Sequence, residues 1–484
     1  MLSLGSLARR TRLPRVTAPI ARAQTRHSYS TKASPPPSNL IRNIAIAGAI
    51  STPFIWWFMS TRRDNDVALP SLKPIHPKDH VTSLISENAY SIPVGDVPTI
   101  SRYDGTQLAS NSPCEDRFTH GKFPSPWNDG SEWMAWAIFD GHAGWQTADL
   151  LEKKLVPAVW EGLGQVDFQK VSDEKREGSV QEGIMEAFVQ LDYSIIKAGT
   201  EALESEEPME EKVRKLAPAH AGSCALLSIY DSTTSTLHVA CTGDSRAVLG
   251  KKRPDGKWEA TPLSVDQTGY NQEETKRISA EHPGERFIFK DGRVLGLAVS
   301  RAFGDVRWKW PVKLQEEIKK KFNGLSPLTS RYDVRTPPYL TAQPVVTSTK
   351  IQPSSTEPSF LIMASDGLWD TMSSDQAVDL VGKWLESQST GNSELEPNPS
   401  PLDKKPLDFT QFKDGVEEKF TEERTTIRDD NAAVHLVRNS LGGNHHELVA
   451  ARLAFSAPFS RDVRDDMTVQ VIFFNDNNNL EPAK

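Results

Sequence analysis

The feature that most limits the fold is a series of short apolar runs bounded by turn residues. Met134–Phe139, Cys224–Tyr230, Leu237–Cys241, Ala247–Leu249, Phe360–Ala364 and Thr468–Phe474 have the length and bulk of strands. Two tight reversals, Asp231-Ser232-Thr233-Thr234 and Thr242-Gly243-Asp244-Ser245, predict direct hairpins and hence antiparallel sheet. That separates the chain from doubly wound nucleotide folds, whose parallel strands need helical crossovers. Helical patterns occur at Gln146–Leu155, Gln181–Gly199, Gln272–Glu281, Asp375–Ser387 and Asn431–Leu441. In the last of these, Ala433, Val434, Val437 and Leu441 share one face. The expected class is α+β, antiparallel sheets flanked by helices, with a body from about Tyr90 to Phe474. Glu201–Arg214, Pro311–Pro338 and Ser387–Lys419 read as surface insertions.

Several runs end on aspartate. Asp140-Gly141-His142 follows one strand, Ser365-Asp366-Gly367 follows another, and Arg464-Asp465-Asp466 precedes a third, while Glu115-Asp116 sits in a loop. A single Asp-Gly is usually a turn. An ordered set at strand ends projects carboxylates from rigid elements into a shared cleft. Oxygen ligands without His or Cys partners suit hard cations such as Mg²⁺ or Mn²⁺ and not zinc. Glycine after Asp140 and after Asp366 lets the backbone come close enough for a carbonyl to act as a ligand.

Charge is distributed unevenly. Met1–Arg63 contains no Asp or Glu but carries Arg9, Arg10, Arg12, Arg15, Arg22, Arg26, Lys32, Arg42, Arg62 and Arg63. The net charge of -8 therefore hides a body near about -18, a poor partner for nucleic acid. Such a leader has the composition of a mitochondrial transit peptide, expected at 1–33. The apolar run Ile44–Met59, with Trp56-Trp57 and then Arg62-Arg63, marks a transmembrane anchor at 40–61. A proline-punctuated lead-in follows at 62–97. The three cysteines, Cys114, Cys224 and Cys241, form no CxxC pair and no disulfide framework; Cys114 reads as a plain semi-buried thiol.

In order along the chain, CEDRF (Cys114–Phe118), WAIFDGHAG (Trp136–Gly144), AGSCALL (Ala221–Leu227), CTGDSRAVLG (Cys241–Gly250), AVSRAFGD (Ala298–Asp305), LIMASDGLWD (Leu361–Asp370) and RDDMTV (Arg464–Val469) resemble the metal-dependent protein phosphatase (PPM, type 2C) family. Further stretches are most similar to the mitochondrial pyruvate dehydrogenase phosphatase branch: Ser110–Phe118, Glu281–Glu285, Arg301–Gln315, Thr336–Thr347 and Asp430–Gly443. The resemblance implies an α-β-β-α sandwich with the metal site at one end, a phosphatase domain at 98–476 and a polar tail at 477–484.

It also implies roles. Asp140 matches the carboxylate that bridges two metals, Gly141 offers its carbonyl, and Asp366 and Asp465 match the remaining metal carboxylates. Glu115 and Asp116 match acids that position metal-bound water, and Asp244 and Asp370 a weaker third-metal site. Two or three Mg²⁺ or Mn²⁺ ions per subunit are implied. His142 matches a general acid for the leaving alkoxide. Many type 2C enzymes carry an arginine four residues before the glutamate to hold phosphate; here that position is Asn111, with Arg117 nearby as another phosphate-binding candidate. Asp370 stands where the mitochondrial branch can carry glutamate. The implied activity is hydrolysis of phosphoserine and phosphothreonine by a metal-activated water, in the mitochondrial matrix or at the inner membrane. The implied substrate is the phosphorylated α-subunit of pyruvate dehydrogenase E1. A general mitochondrial Ser/Thr phosphatase is the alternative. A pseudophosphatase scaffold is disfavoured because every metal carboxylate is kept.

Overall fold

The apolar runs are continuous because most of these strands are buried on both faces. In the strand Glu132–Phe139, Trp133, Ala135, Ala137 and Phe139 face one core, and Met134, Trp136 and Ile138 face another. Burial of each such large side chain contributes about 1.5–3 kcal/mol. The computed structural model describes residues 78–97, 99–127, 129–166, 173–322, 324, 326–352, 358–390 and 419–474. The expected transit peptide at 1–33, the anchor at 40–61, the start of the lead-in and the tail at 477–484 lie outside the described residues. Among the described residues no helix is long and apolar enough to cross a membrane.

The chain begins with helix α1 (Lys78–Ile85) and strands β1 (Tyr90–Pro93), β2 (Ile100–Leu108), β3 (Arg117–Pro124), β4 (Glu132–Phe139) and β5 (Gly141–His142). Three helices follow: α2 (Gln146–Gly164), α3 (Asp173–Glu204) and α4 (Met209–His220). Next come β6 (Gly222–Ser223), β7 (Ala225–Asp231), β8 (Thr236–Thr242), β9 (Arg246–Lys252), β10 (Trp258–Pro262) and α5 (Gln272–Glu281). A small region holds β11 (Phe289–Lys290), β12 (Arg293–Val294), β13 (Phe303–Gly304), α6 (Val306–Lys309) and α7 (Val312–Phe322). The last part contains β14 (Val345–Lys350), β15 (Ser359–Ala364), α8 (Asp366–Trp369), α9 (Ser374–Thr390), α10 (Ala432–Leu441), α11 (His446–Ala454) and β16 (Met467–Phe474).

One six-stranded sheet has the order β1-β2-β16-β15-β9-β10, and a five-stranded sheet the order β14-β8-β7-β4-β3. Their ladders are antiparallel. A middle core of Met134, Trp136, Leu226, Leu361, Met363 and Ile472 joins the two sheets. The outer face of the five-stranded sheet packs on α2, α3 and α4 through residues such as Leu151, Phe188 and Leu216. Across the other sheet, Phe360, Val469 and Val471 pack on α9 and α10 through Val381, Trp384, Val434 and Val437. The result is the expected α-β-β-α sandwich.

Four local expectations change. Asp231–Thr234 closes the β7–β8 hairpin, but Thr242–Ser245 does not close one: β8 and β9 belong to different sheets. Gly243, at φ +107°, makes that crossing, and a Cβ there would meet the Cys224 sulfur at 2.3 Å. The acidic segment Glu201–Arg214 is not a surface insertion; it holds the end of α3, the turn after it and the start of α4, and Leu203 within it and Leu216 just beyond it are buried in the helical layer. Within Pro311–Pro338, α7 buries Ile318, and Leu328 and Val334 enter a satellite core with Trp308 and Tyr339. The lead-in is structured from Lys78: α1 buries Val81 and Ile85, and β1 pairs with β2.

Candidate active site

Strand register gathers the acids at one end of the sandwich. Arg117 at the start of β3 pairs with Phe139 at the end of β4, and Ala364 at the end of β15 pairs with both Val469 and Arg246. Asp116, Asp140, Asp244, Asp366 and Asp465 are thereby placed at neighbouring strand ends. The two Asp-Gly pairs prove to be close-approach positions. A Cβ on Gly141 would stand 2.3 Å from the Glu115 carbonyl oxygen, and one on Gly367 2.2 Å from that of Asp466. Neither glycine needs a left-handed backbone; each lets an acid-bearing loop pass within reach of the next.

Asp140, Asp244 and Asp366 are half-buried, and Asp370 is exposed at the rim. Burial, then Asp366, Asp116 and Asp244, raises the Asp140 carboxyl well above its usual range. Burial and then Asp366 push Asp244 up to about 7, and burial and then Asp370 push Asp366 up to about 6. Asp140 and Asp366 act on each other's pKa, which places their carboxylates in direct reach of one another. Glu115 is raised as well, chiefly by burial. These oxygens repel one another, and the protein offers little positive charge to offset them. That donor set fits hard divalent cations. Asp140, Asp244 and Cys224 offer ligand atoms within 4.8 Å of one another. Cys224, however, is a thiol whose pKa burial and Asp244 raise, and it donates to Asp244 at 3.3 Å.

Two acids hold the frame. Asp116 is buried beneath the cluster and accepts from Ser365 Oγ at 2.9 Å and Thr468 Oγ1 at 2.7 Å, tying β3 to β15 and β16. Burial and then Asp466 raise it to about 8. Asp466, given no role from sequence, accepts from the backbone N–H groups of Ser110 (2.5 Å), Asn111 (2.9 Å) and Glu115 (2.9 Å).

The phosphate-binding candidates are engaged inward. Asn111 Nδ2 donates to Asp466 at 2.9 Å and to Glu115 at 3.4 Å. Arg117 donates to the carbonyls of Cys114 (2.8 Å) and Asp116 (2.7 Å). Among the described residues Arg461 faces the cluster, ion-paired with Asp465; it offsets part of the rise that burial imposes on Glu115 and Asp366. It lines a 490 Å³ cavity together with Asp370, Lys419 and Asp465. Cys114 is half-buried, and burial followed by Asp116 raises its thiol far above the ordinary range, consistent with a plain thiol.

His142 is on β5, two residues past Asp140. Its Nε2 lies 2.6 Å from Asp305 Oδ2. Burial lowers its pKa, but Asp305, with Asp244 and Glu115, outweighs this and the net shift is upward.

Residues 105–400 match the family model described as protein phosphatase 2C. The chain is 43% identical to a protein phosphatase 2C homologue of Schizosaccharomyces pombe, over 78% of this chain and 81% of that protein. It is 36% identical to mitochondrial pyruvate dehydrogenase (acetyl-transferring) phosphatase 1 of Saccharomyces cerevisiae, over 78% of this chain and 69% of that protein. It is 32% identical to mitochondrial pyruvate dehydrogenase (acetyl-transferring) phosphatase 2 of Homo sapiens, over 78% of each. With the carboxylate-lined end of an α-β-β-α sandwich, these matches establish that the chain belongs to the protein phosphatase 2C family of metal-dependent serine/threonine phosphatases.

Proposed function

We propose that this phosphatase works in mitochondria, at the inner membrane or in the matrix, on the phosphorylated α-subunit of pyruvate dehydrogenase E1. The observation that carries the reading is the identity of 36% and 32% to two mitochondrial pyruvate dehydrogenase phosphatases. The acid-free, arginine-rich leader supports the compartment. The apolar run Ile44–Met59 supports the anchor.

Asp140, the Gly141 carbonyl, Asp366 and Asp465 would hold two Mg²⁺ or Mn²⁺ ions, and Asp244 with Asp370 a weaker third. Bound there, such ions supply a water acidic enough to attack phosphorus at neutral pH and neutralise the phosphoryl oxygens. Asp116 and Asp466 keep the ligand loops in place from below. Arg461, which lines the open cavity beside the acids, is the side chain best placed to meet substrate phosphate if it leaves Asp465; Asn111 and Arg117 are bonded to Asp466 and to backbone carbonyls. His142 gives a proton to the seryl or threonyl oxygen as its bond to phosphorus breaks. Its Nε2–H is engaged by Asp305, so the proton transferred is the one that the imidazolium carries on Nδ1, which leaves a neutral ring protonated on Nε2.

The test is a comparison of phosphorylated mitochondrial proteins with and without this protein. The reading expects phosphorylated E1 α-subunit to accumulate. Accumulation on many unrelated proteins, with E1 unchanged, would favour a general mitochondrial phosphatase.

A further inference from the structure

We infer that Asp305 is the positioning residue for His142, holding the imidazole by Nε2 so that Nδ1 is presented to the leaving oxygen. This rests on the reading of His142 as the proton donor. The two residues are 163 positions apart, and a dedicated piece of structure brings them together. Strand β6 lies between β5 and β13, pairing Gly222 with His142 on one side and with Gly304 on the other. The contact passes directly over Gly222. A Cβ there would stand 2.1 Å from His142 Nε2 and 2.4 Å from Asp305 Oδ2.

The backbone that delivers Asp305 is held in an unfavourable conformation. Asp305 is left-handed at φ +51° directly after Gly304 at φ +67°. A non-glycine residue there costs on the order of 1 kcal/mol or more, which the surroundings must offset. They do so by pinning both residues. The Asp305 N–H donates to Ala221 O at 3.0 Å, and the Gly304 N–H to Asp192 at 2.9 Å. Buried Lys309 in turn neutralises Asp192 at 2.7 Å.

A purely structural duty for the carboxylate is available and is not taken. Asp305 occupies the N-cap position of α6, where an aspartate side chain commonly caps the first turn. It makes no cap hydrogen bond there and goes to His142 instead. A carboxylate accepting from one ring nitrogen fixes the orientation of the ring and leaves the other nitrogen, protonated in the imidazolium, free to give its proton.

The test exploits the leaving group. A seryl alkoxide needs a proton as it departs, whereas p-nitrophenolate does not. With the full-length protein and Mn²⁺, D305N is expected to lower kcat roughly a hundredfold on a phosphoserine peptide, the lower end of the general-acid range. KM should stay within about twofold and p-nitrophenyl phosphate turnover within about threefold, since neither needs the proton. H142Q should show the same selectivity, and the double variant should be no slower than the slower single one. G222A, which inserts a methyl group into the contact without altering either partner, should reproduce the effect even if D305N folds poorly. In the metal-free protein, nitrogen-15 spectra should show a proton on His142 Nε2. If H142Q is selective and D305N and G222A are not, the inference is wrong and the His142 reading stands. If H142Q affects both substrates alike, the His142 reading fails first. An unprotonated Nε2 in the native protein would also overturn the inference.

Discussion

Asp140 stands at the point where the carboxylates converge, and its neighbours Asp366, Asp116 and Asp244 all push its pKa in the same direction. Removing its charge should affect every cation in the cluster. Asp140→Asn is expected to keep less than a tenth of wild-type turnover, a barrier increase above about 1.4 kcal/mol, with an unchanged circular dichroism spectrum. A variant retaining half its activity would remove Asp140 from the centre of the site. Gly367→Ala tests a different residue-scale claim. Its Cβ would fall 2.2 Å from the Asp466 carbonyl oxygen, so the backbone must shift. Overpacking of this kind costs about 1–3 kcal/mol, to be read from urea denaturation, and an unchanged midpoint would contradict the close-approach explanation. That these carboxylates gather at one end of the sandwich was legible in the sequence because each is local to a strand end. The contacts of Asp305 and Asp466 were not, because the partner of the first is remote in sequence and the donors of the second are backbone groups of another loop.

Helices were legible where a cap residue precedes a run of good helix formers, even where few positions are apolar: α5 buries only Glu274 and Ile278, and Asn271 caps it by accepting from the Glu273 N–H. Helix α5 spans the expected Gln272–Glu281, and Asn431, expected as the first residue of the last helical pattern, instead caps α10 by accepting from the N–H groups of Ala433 and Val434. The reversal after β8 was misread because turn residues do not report which sheet receives the next strand. The acidic Glu201–Arg214 segment was misread because its charges are the exposed face of helices whose other face is buried. Helix α10 also carries a feature that no pattern announced: Arg438 and Asp429, both buried, form a pair with Nε–Oδ2 at 2.7 Å. Asp429→Ala would strand the guanidinium in a low-dielectric layer. The expected loss is about 3–5 kcal/mol in chemical denaturation. A loss below about 1 kcal/mol would mean that the pair is solvated and does not anchor α10.

For the molecule as a whole, stability and metal binding are linked through the raised carboxylates. Asp366 at about 6, Asp244 at about 7 and Asp116 at about 8 all exceed their unfolded value, so the metal-free folded state binds more protons than the unfolded chain. Its stability is greatest, for these groups, below the unfolded pKa and falls as pH rises through the range from 6 to 8. Cations need the deprotonated acids, so the rise in Tm on adding Mg²⁺ should be larger at high pH than at low pH. Equal increments across that range would argue against the cluster as the binding site. The leader makes a separate claim: Met1–Arg63 fused to a passenger should carry it to mitochondria and keep it in the membrane pellet after carbonate extraction. Import with release into the supernatant would keep the leader and reject the anchor. The central claim is that this end of the sandwich is a metal-dependent phosphatase site. It is tested most directly by phosphate release from a phosphoserine peptide, measured with the metal-stripped protein in excess chelator and again after Mn²⁺ is supplied. The account predicts no release in chelator and recovery with Mn²⁺; full activity in chelator would contradict it.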